Sequence, residues 1–205
     1  MTLRSWHRAS GLLIAIFIVI HLANHLAGLA GVARHIAFMD AARNIYRQPF
    51  IEVLLLACVT FQMVSGLLLL ARGWKTRRGA IAWLQAASGA YLVFFLLVHV
   101  GAVLVGRAML GLDTNFYYAA AALHVPPWHW FQGPYYFLAV LALFTHVGCA
   151  AYWQLADGGV RTAVVPAAML VGTIVSLLIV MTLAGKTVPV EVPPRYKATY
   201  LPAGT

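Results

Sequence analysis

SGLLIAIFIVIH, residues 10–21, decides the fold of this chain, because its pattern returns in SGAYLVFFLLVH, residues 88–99. Each segment begins with Ser-Gly and ends on a histidine eleven residues after the serine, with no charged residue between them. Each belongs to an apolar run long enough to cross a membrane, since about 20 apolar residues in a helix span the hydrocarbon core. A histidine in hydrocarbon is costly, so His21 and His99 are candidate functional residues.

The composition is typical of a membrane protein. Of the 205 residues, 62% are hydrophobic and 9% are charged, whereas about a quarter of the residues of a soluble domain are charged. The net charge of +9 does not indicate nucleic-acid binding, because the basic residues form short clusters between apolar runs. Such clusters are typical of topology signals and of contacts with anionic lipid. Cys58 and Cys149 lie within apolar runs and are interpreted as small buried side chains, not as a disulfide.

Five apolar runs predict an all-α bundle of five transmembrane helices. The predicted spans are residues 9–31, 51–71, 80–106, 133–156 and 162–184. Short interfacial helices are expected in the connections 34–50 and 107–131. Residues 185–205 contain four prolines and are expected to form an extended or mobile tail.

The loop at residues 72–79, RGWKTRRG, predicts the topology. It holds four basic residues and no acidic residue, which is typical of a cytoplasmic loop. The N-terminus, with Arg4 and Arg8, is then also inside, and the C-terminal tail is outside. The expected location is a bacterial cytoplasmic membrane.

Four histidines fall within the predicted spans: His21, His25, His99 and His146. Lipid cannot satisfy their ring nitrogens, so they should face the bundle interior. One such histidine is often only an interhelical hydrogen bond worth about 1 kcal/mol. Four of them, in spans without lysine or arginine, favour cofactor ligation, and histidine is an axial ligand of haem.

The equal spacing places His21 and His99 at similar heights, because the first and third spans run in the same direction. We therefore expect one haem b between them. His25 lies one helical turn from His21 on the same face. It is a candidate hydrogen-bond donor to the ligand, a propionate contact or part of a quinone pocket. The Ser-Gly pairs have an alternative role, which is to let helices approach closely.

Gln62 and His146 each lie roughly 15 Å from the inner face, at about 1.5 Å per helical residue, so they can meet. Gln62 is a poor iron ligand, and a second haem would need Met63 in its place. A hydrogen bond between Gln62 and His146, or contact of both with a quinone, is the simpler interpretation.

These residues resemble the membrane cytochrome b subunit of succinate dehydrogenases and fumarate reductases, in its five-helix, two-haem form. The resemblance covers most of residues 5–156. It rests on His7-Arg8 before Ser10-Gly11, HLANH at 21–25, Phe38-Met39-Asp40, Leu84-Gln85 before Ser88-Gly89 and His99, Asn115-Phe116, and His146.

The resemblance implies that the first and third spans hold one haem and that the second and fourth spans hold another. Carried over, His21 and His99 match the ligands of the outer haem, and His146 matches one iron ligand of the inner haem. The second-span ligand position falls on Gln62, which departs from the family pattern. Ala86 stands where the family has a basic residue. HLANH is one residue shorter than the expected form, so His25 stays open as an alternative to His21.

The implied function is that of a haem b-containing membrane anchor, which relays electrons between a peripheral iron–sulfur subunit and membrane quinone. The candidate quinone or proton-transfer residues are Glu52, His25 and His35 at the outer side and His7, Arg8 and Ser10 at the inner side. Glu52 is equally interpreted as a solvated helix N-terminal carboxylate.

The chain has no flavin fingerprint and no cysteine cluster, so it lacks a complete active site. Dicarboxylate chemistry would then lie on partner flavoprotein and iron–sulfur subunits. Two alternatives are a stand-alone haem-binding sensor or carrier and a haem-free structural anchor.

Overall fold

The computed structural model describes residues 2–201, which are helical with no strand in that range. The long helices are α1 (Leu3–Ala27), α3 (Pro49–Gly73), α4 (Ala80–Ala108), α6 (His129–Tyr152) and α7 (Gly159–Leu183), and the shorter ones are α2 (Val32–Tyr46), α5 (Phe116–Ala120) and α8 (Pro194–Lys197). The five long helices are long and apolar enough to cross a membrane. The predicted all-helical fold with five such helices is thereby confirmed, and it indicates an integral membrane protein.

The helix ends follow local chemistry. Thr2 caps α1, its hydroxyl accepting a hydrogen bond from the Ser5 amide at 3.2 Å. Pro49 begins α3, where its missing N–H costs no helical hydrogen bond. Helix α6 begins at His129, four residues before the predicted span, and continues through Pro134. Apolar spanning helices tolerate such prolines, because neighbouring groups satisfy the freed carbonyl.

All six tryptophans lie at helix ends and are exposed. Trp6, Trp74, Trp83 and Trp153 lie at the end of the bundle where residues 72–79 connect α3 to α4, which we call the basic end. Trp128 and Trp130 lie at the opposite end. Tryptophan concentrates at both membrane–water interfaces, so the two groups match the two surfaces of a bilayer.

The tightest helix pair is α6 with α7, which pack through glycines. A Cβ at Gly148 would lie 2.6 Å from the Ala168 Cβ, and a Cβ at Gly172 would lie 2.7 Å from the Phe144 Cβ. Helix α4 packs on α6 and α3, and α1 packs on α2 and α3. Over residues 2–201, α1 and α4 hardly approach each other through their backbones. We call the space between these two helix backbones the gap; the rings of His21 and His99 meet within it.

Residues 109–128 and 185–201 fold together as a cap over the end opposite the basic end, which we call the capped end. Residues 189–193 of the expected tail have no helix, and α8 and a 3₁₀ turn at 198–200 follow them, packed against the bundle. Tyr196 is fully buried, and its hydroxyl accepts hydrogen bonds from Asn115 Nδ2 and Arg195 Nη2, both at 3.1 Å. Prolines keep the backbone from forming a long helix, but Val192 and Tyr196 bury their side chains against Phe116 of α5. Residues 202–205 of the predicted tail lie outside the described range.

The cap is also joined to α2. Arg43 forms an ion pair with Asp113 at 2.8 Å, and Arg47 donates a hydrogen bond to the Thr114 hydroxyl at 3.0 Å. Helix α2 lies in the predicted interfacial connection 34–50, and α5 lies in the connection 107–131. These contacts hold α2 against the end of α1 that follows His21.

Candidate functional site

The centre of the site is a pair of histidines that face each other across the gap. The ring centroids of His21 on α1 and His99 on α4 lie 6.0 Å apart, with their planes at 67°. Each ring stacks on a phenylalanine one turn earlier in its own helix. The centroid separations are 5.5 Å for Phe17 with His21 and 4.9 Å for Phe95 with His99, with nearly parallel planes. The two helices therefore present the same side-chain arrangement to the gap.

The two phenylalanines extend the sequence repeat to Ser-Gly-x5-Phe-x3-His, which is SGLLIAIFIVIH in α1 and SGAYLVFFLLVH in α4. Sequence reasoning missed Phe17 and Phe95, although both stand at the same place in the two quoted segments. The signal was present, but phenylalanine is so common in apolar helices that it attracted no attention.

The separation of the two ring centroids is that of two imidazoles with a metal between them. A metal–imidazole bond of about 2 Å on each side separates the ring centroids by roughly 6 Å. The ring nitrogens of His21 and His99 make no hydrogen bond within residues 2–201, yet they retain accessible surface. The described residues contain no group of three His, Cys, Asp or Glu arranged to hold a metal ion. Histidine nitrogens are axial ligands of haem iron in proteins, so His21 and His99 are the residues of this site that could hold a haem.

The Ser-Gly pair of α1 packs against Gln62 of α3. Gln62 Nε2 donates hydrogen bonds to the Ser10 hydroxyl at 2.8 Å and to the His7 carbonyl at 2.5 Å. A Cβ at Gly11 would lie 3.1 Å from the same nitrogen. The close-approach interpretation of this pair therefore agrees with the structure.

The Ser-Gly pair of α4 packs in the same way against His146 of α6. His146 Nδ1 lies 3.3 Å from the Ser88 hydroxyl and 3.1 Å from the Gln85 carbonyl. A Cβ at Gly89 would lie 3.0 Å from His146 Cε1. His146 thus takes the place in the α4–α6 pair that Gln62 takes in the α1–α3 pair.

The predicted hydrogen bond between Gln62 and His146 is wrong. Each side chain bonds instead to the Ser-Gly pair of its own neighbouring helix. Among the contacts of residues 2–201, none joins Met63 to His146. His146 therefore lies against α4, held by hydrogen bonds to Ser88 and Gln85.

A third Ser-Gly pair, which sequence reasoning missed, lies on α3. His7 Nδ1 lies 2.7 Å from the Ser65 hydroxyl, and a Cβ at Gly66 would lie 3.5 Å from His7 Cε1. The inner-side candidates His7 and Ser10 therefore bond to α3, whereas Arg8 is exposed.

Two of the outer-side candidates lie next to the histidine pair. The His25 ring lies 4.7 Å from His21 and 5.2 Å from His35, centroid to centroid. Asn24 Nδ2 donates a hydrogen bond to His35 Nε2 at 3.3 Å, and Phe116 of the cap packs on the His35 ring. Burial, and then His21 and Arg43, lower the pKa of His35 to about 4. His35 is therefore a neutral imidazole between the pair and the cap.

Glu52, the third outer-side candidate, forms an ion pair with Arg107 of α4. The side chains are 27% and 33% exposed, respectively. Glu52 also lies in the first turn of α3, where the helix dipole favours a carboxylate. The ion pair joins α3 to α4 at the capped end.

An apolar groove of about 470 Å³ opens between α1, α2 and α3 near the histidine pair. Its walls include Phe17, Ile20, Phe38, Tyr46 and Leu55. The Phe17 ring meets Tyr46 edge-on at 5.3 Å and stacks on His21. One aromatic ring therefore separates the groove from His21.

Comparisons with protein-family models, with curated proteins and with solved structures find no match to this chain.

Proposed function

We propose that this chain is a membrane haem b protein and the anchor subunit of a succinate:quinone oxidoreductase-like complex. In that role it carries electrons between a peripheral iron–sulfur subunit and membrane quinone. The observation that carries the haem assignment is the opposition of His21 and His99 at 6.0 Å across a gap between helices. The order of motifs along the sequence supports the assignment to this kind of complex.

Haem b bound between these residues supplies a reversible one-electron carrier. His21 and His99 would provide its two axial nitrogens. Phe17 and Phe95 stack on these rings and restrict their rotation, which fixes the plane of each ligand. The apolar spans around the pair keep water away from it, and burial is one of the means by which a protein tunes a haem potential.

The groove beside Phe17 fits the quinone role. Its lining is apolar apart from Tyr46, which suits a ring that carries an isoprenoid chain. Its residues Ile51 and Leu55 flank Glu52 in the first turns of α3. Two carboxylates adjoin lining residues in sequence: Glu52 follows Ile51, and Asp40 precedes Ala41. Glu52, which lies in the first turn of a spanning helix, is the first candidate for proton exchange with a bound quinone.

The basic end is the proposed cytoplasmic end, because its short loop at residues 72–79 holds four basic residues and no acid, a pattern typical of cytoplasmic loops. Each end of the bundle carries seven Lys and Arg, so the concentration in this loop decides the assignment. The basic residues of the basic end are Arg4, Arg8, Arg72, Lys75, Arg77, Arg78 and Arg161, against the single acid Asp157. Peripheral subunits would dock on this end, in a bacterial cytoplasmic membrane. The tryptophans at both ends support the proposed insertion.

A stand-alone membrane haem protein is the second candidate. One observation favours it over the complex: Gln62, at the expected ligand position of a second haem, is bonded to Ser10 and His7. A Gln62 that serves helix packing instead of haem binding is expected in a chain that holds a single haem and has no partner subunits.

Counting haem in the purified full-length chain tests the proposal. The pyridine haemochrome assay should give one haem b per chain for the native protein and almost none for His21→Ala or His99→Ala. His124→Ala is the matched control, because His124 bonds to the Leu183 carbonyl in the cap. Full haem content in His99→Ala would overturn the ligand assignment.

Isolation of a tagged chain from its native membranes separates the two candidates. Stoichiometric flavin and acid-labile sulfide in the purified material would support the complex. Haem without either would support the stand-alone protein.

A further inference from the structure

Three side chains between His21 and the cap carry polar atoms that are buried without a partner. They are Asn24 Oδ1, His25 Nδ1 and His35 Nδ1. Asn24 is 7% exposed and His35 is 2% exposed. Buried polar atoms are nearly always hydrogen-bonded, so several unpaired ones in one place indicate a missing partner.

The hydrogen bond between Asn24 and His35 shows that the missing partner must be a hydrogen-bond acceptor. The Asn24 amide nitrogen can only donate, so the neutral His35 ring accepts at Nε2 and carries its proton on Nδ1. This N–H is the unpaired donor. If the oxygen and nitrogen of the Asn24 amide are exchanged, Asn24 accepts from His35 Nε2 and its own NH₂ group becomes the unpaired donor. One unpaired donor remains in either orientation.

Arg43 contributes a second unpaired donor on α2, the helix that carries His35. It follows His35 by about two helical turns. Its Nε is buried without a partner, whereas the rest of the guanidinium pairs with Asp113 at 2.8 Å and with Asp40 at 3.5 Å. These two carboxylates already compensate the charge of Arg43, so the unpaired donors, and not a free positive charge, require an acceptor.

The cluster lies on the capped side of the histidine pair. His25 is one helical turn beyond His21, and His35 and Phe116 follow on the far side. A Cβ at Gly28 would lie 3.5 Å from Phe116 and 3.8 Å from His35, so α1, α2 and the cap pack closely there. The cluster therefore adjoins the place where His21 and His99 meet, and a group bound between these two histidines would lie beside it.

We infer that Asn24, His25 and His35 bind a propionate carboxyl group of the haem held between His21 and His99. This inference rests on the proposed function. Haem b carries two propionates on one edge, and a carboxylate accepts hydrogen bonds from imidazole and amide N–H groups. A carboxylate accepts the one N–H that the Asn24–His35 pair leaves free, from the imidazole or, with the amide reversed, from Asn24. A trapped water is the competing occupant, since it both donates and accepts and would also pair with the unpaired acceptor Asn24 Oδ1.

Transfer of haem from the holoprotein to excess apomyoglobin tests the inference. The full-length chain is compared with His35→Phe and Asn24→Leu, and His124→Phe is the control, because its histidine has a backbone partner in the cap. Each cluster variant should lose haem about tenfold faster than the native protein, since hydrogen bonds to a charged group are worth this much. The low-spin spectrum of the two axial histidines should not change.

The dimethyl ester of haem, supplied to membranes of haem-starved cells that express the full chain, separates a carboxylate from water. The native protein should release the ester about tenfold faster than haem, whereas His35→Phe should release both at similar rates. His35→Gln, which keeps a donor, should recover part of the difference and shows that the site folds.

Equal release of haem and its ester by the native protein would overturn the inference and leave a water-filled cluster, with the haem assignment intact. A native protein that binds no haem would overturn the proposed function, and the inference with it.

Discussion

Gln62 and His146 occupy equivalent positions in two helix pairs, each against the Ser-Gly of the helix beside it. Gln62 bonds to Ser10, and His146 bonds to Ser88. The equivalence shows that the sequence repeat is a repeat of packing, because the serine and the glycine accommodate a polar side chain from the neighbouring helix. The two pairs differ only in which polar side chain they accommodate.

The Gln62 contacts predict the behaviour of two variants. Gln62→Leu removes two hydrogen bonds between α1 and α3, so it should lower the free energy of unfolding by about 1–2 kcal/mol without loss of haem. Gln62→His should not create a second haem site, because His146 is bonded to α4. Unfolding in detergent and the pyridine haemochrome assay measure the two effects. Two haems in Gln62→His would contradict the packing described for His146.

The glycines of the repeat predict a graded response to added methyl groups. In Gly89→Ala the new Cβ would lie 3.0 Å from His146 Cε1, so this variant should lower the free energy of unfolding by about 1–3 kcal/mol. Gly101→Ala is the matched control on the same helix, because nothing lies within 4 Å of its Cβ. That control should be neutral or stabilising by up to about 1 kcal/mol. Equal destabilisation by both changes would show that helix packing is not the role of Gly89.

Much of the fold was predictable, because the apolar runs and their length determine the five long helices. The pairing of His21 with His99 was predictable for a related reason. Each histidine lies eleven residues after a Ser-Gly serine, and on two helices that run in the same direction this places both at the same depth in the membrane. Spacing gives only the height of a residue along a helix, and it does not give the direction in which the residue points. That is why Gln62 and His146, at similar heights, were wrongly expected to bond with each other.

The cap was not predictable, because its stability depends on contacts between distant segments. Tyr196 is buried against residues of α5 and α7, whereas the prolines around it are typical of an extended chain. Ser65-Gly66 was visible in the sequence, but its partner His7 lies 58 residues from Ser65.

The stacked phenylalanines predict a change in haem ligand geometry. Phe95→Leu removes the ring that lies parallel to His99 at 4.9 Å, so the His99 ring gains freedom to rotate about its bond to iron. We expect the haem content to stay near one per chain while the low-spin electron paramagnetic resonance signal broadens or shifts. Phe94→Leu is the control, since Phe94 lies on the same helix and its ring contacts Tyr91 and Tyr135 rather than a histidine. An identical electron paramagnetic resonance signal in Phe95→Leu and Phe94→Leu would show that the Phe95 ring does not orient His99.

The ion pair between Glu52 and Arg107 predicts separable effects on stability and on quinone reaction. Both side chains are partly exposed, so Glu52→Gln should lower the free energy of unfolding by less than about 1 kcal/mol. If Glu52 exchanges protons with quinone, the same variant should slow quinol-dependent haem reduction at least tenfold. Arg107→Gln is the control, because it breaks the ion pair but keeps the carboxylate. Equal rates in the native protein and Glu52→Gln would remove Glu52 from the quinone reaction.

The pKa of His35 predicts how stability depends on pH. The folded chain without haem holds this pKa at about 4, whereas an unfolded histidine has a pKa of about 6.5. The prediction applies to the haem-free protein, because a propionate at His35 would raise its pKa. Below about pH 6.5 the unfolded state binds a proton at this histidine, whereas the folded state does not bind it until the pH reaches about 4. The free energy of unfolding therefore decreases between these two pH values. The loss assigned to this one group is at most about 3 kcal/mol. His35→Phe should therefore lose less stability than the native protein between pH 6.5 and 4, as measured by unfolding in detergent at several pH values. Parallel curves for the two proteins would mean that His35 is protonated equally in both states.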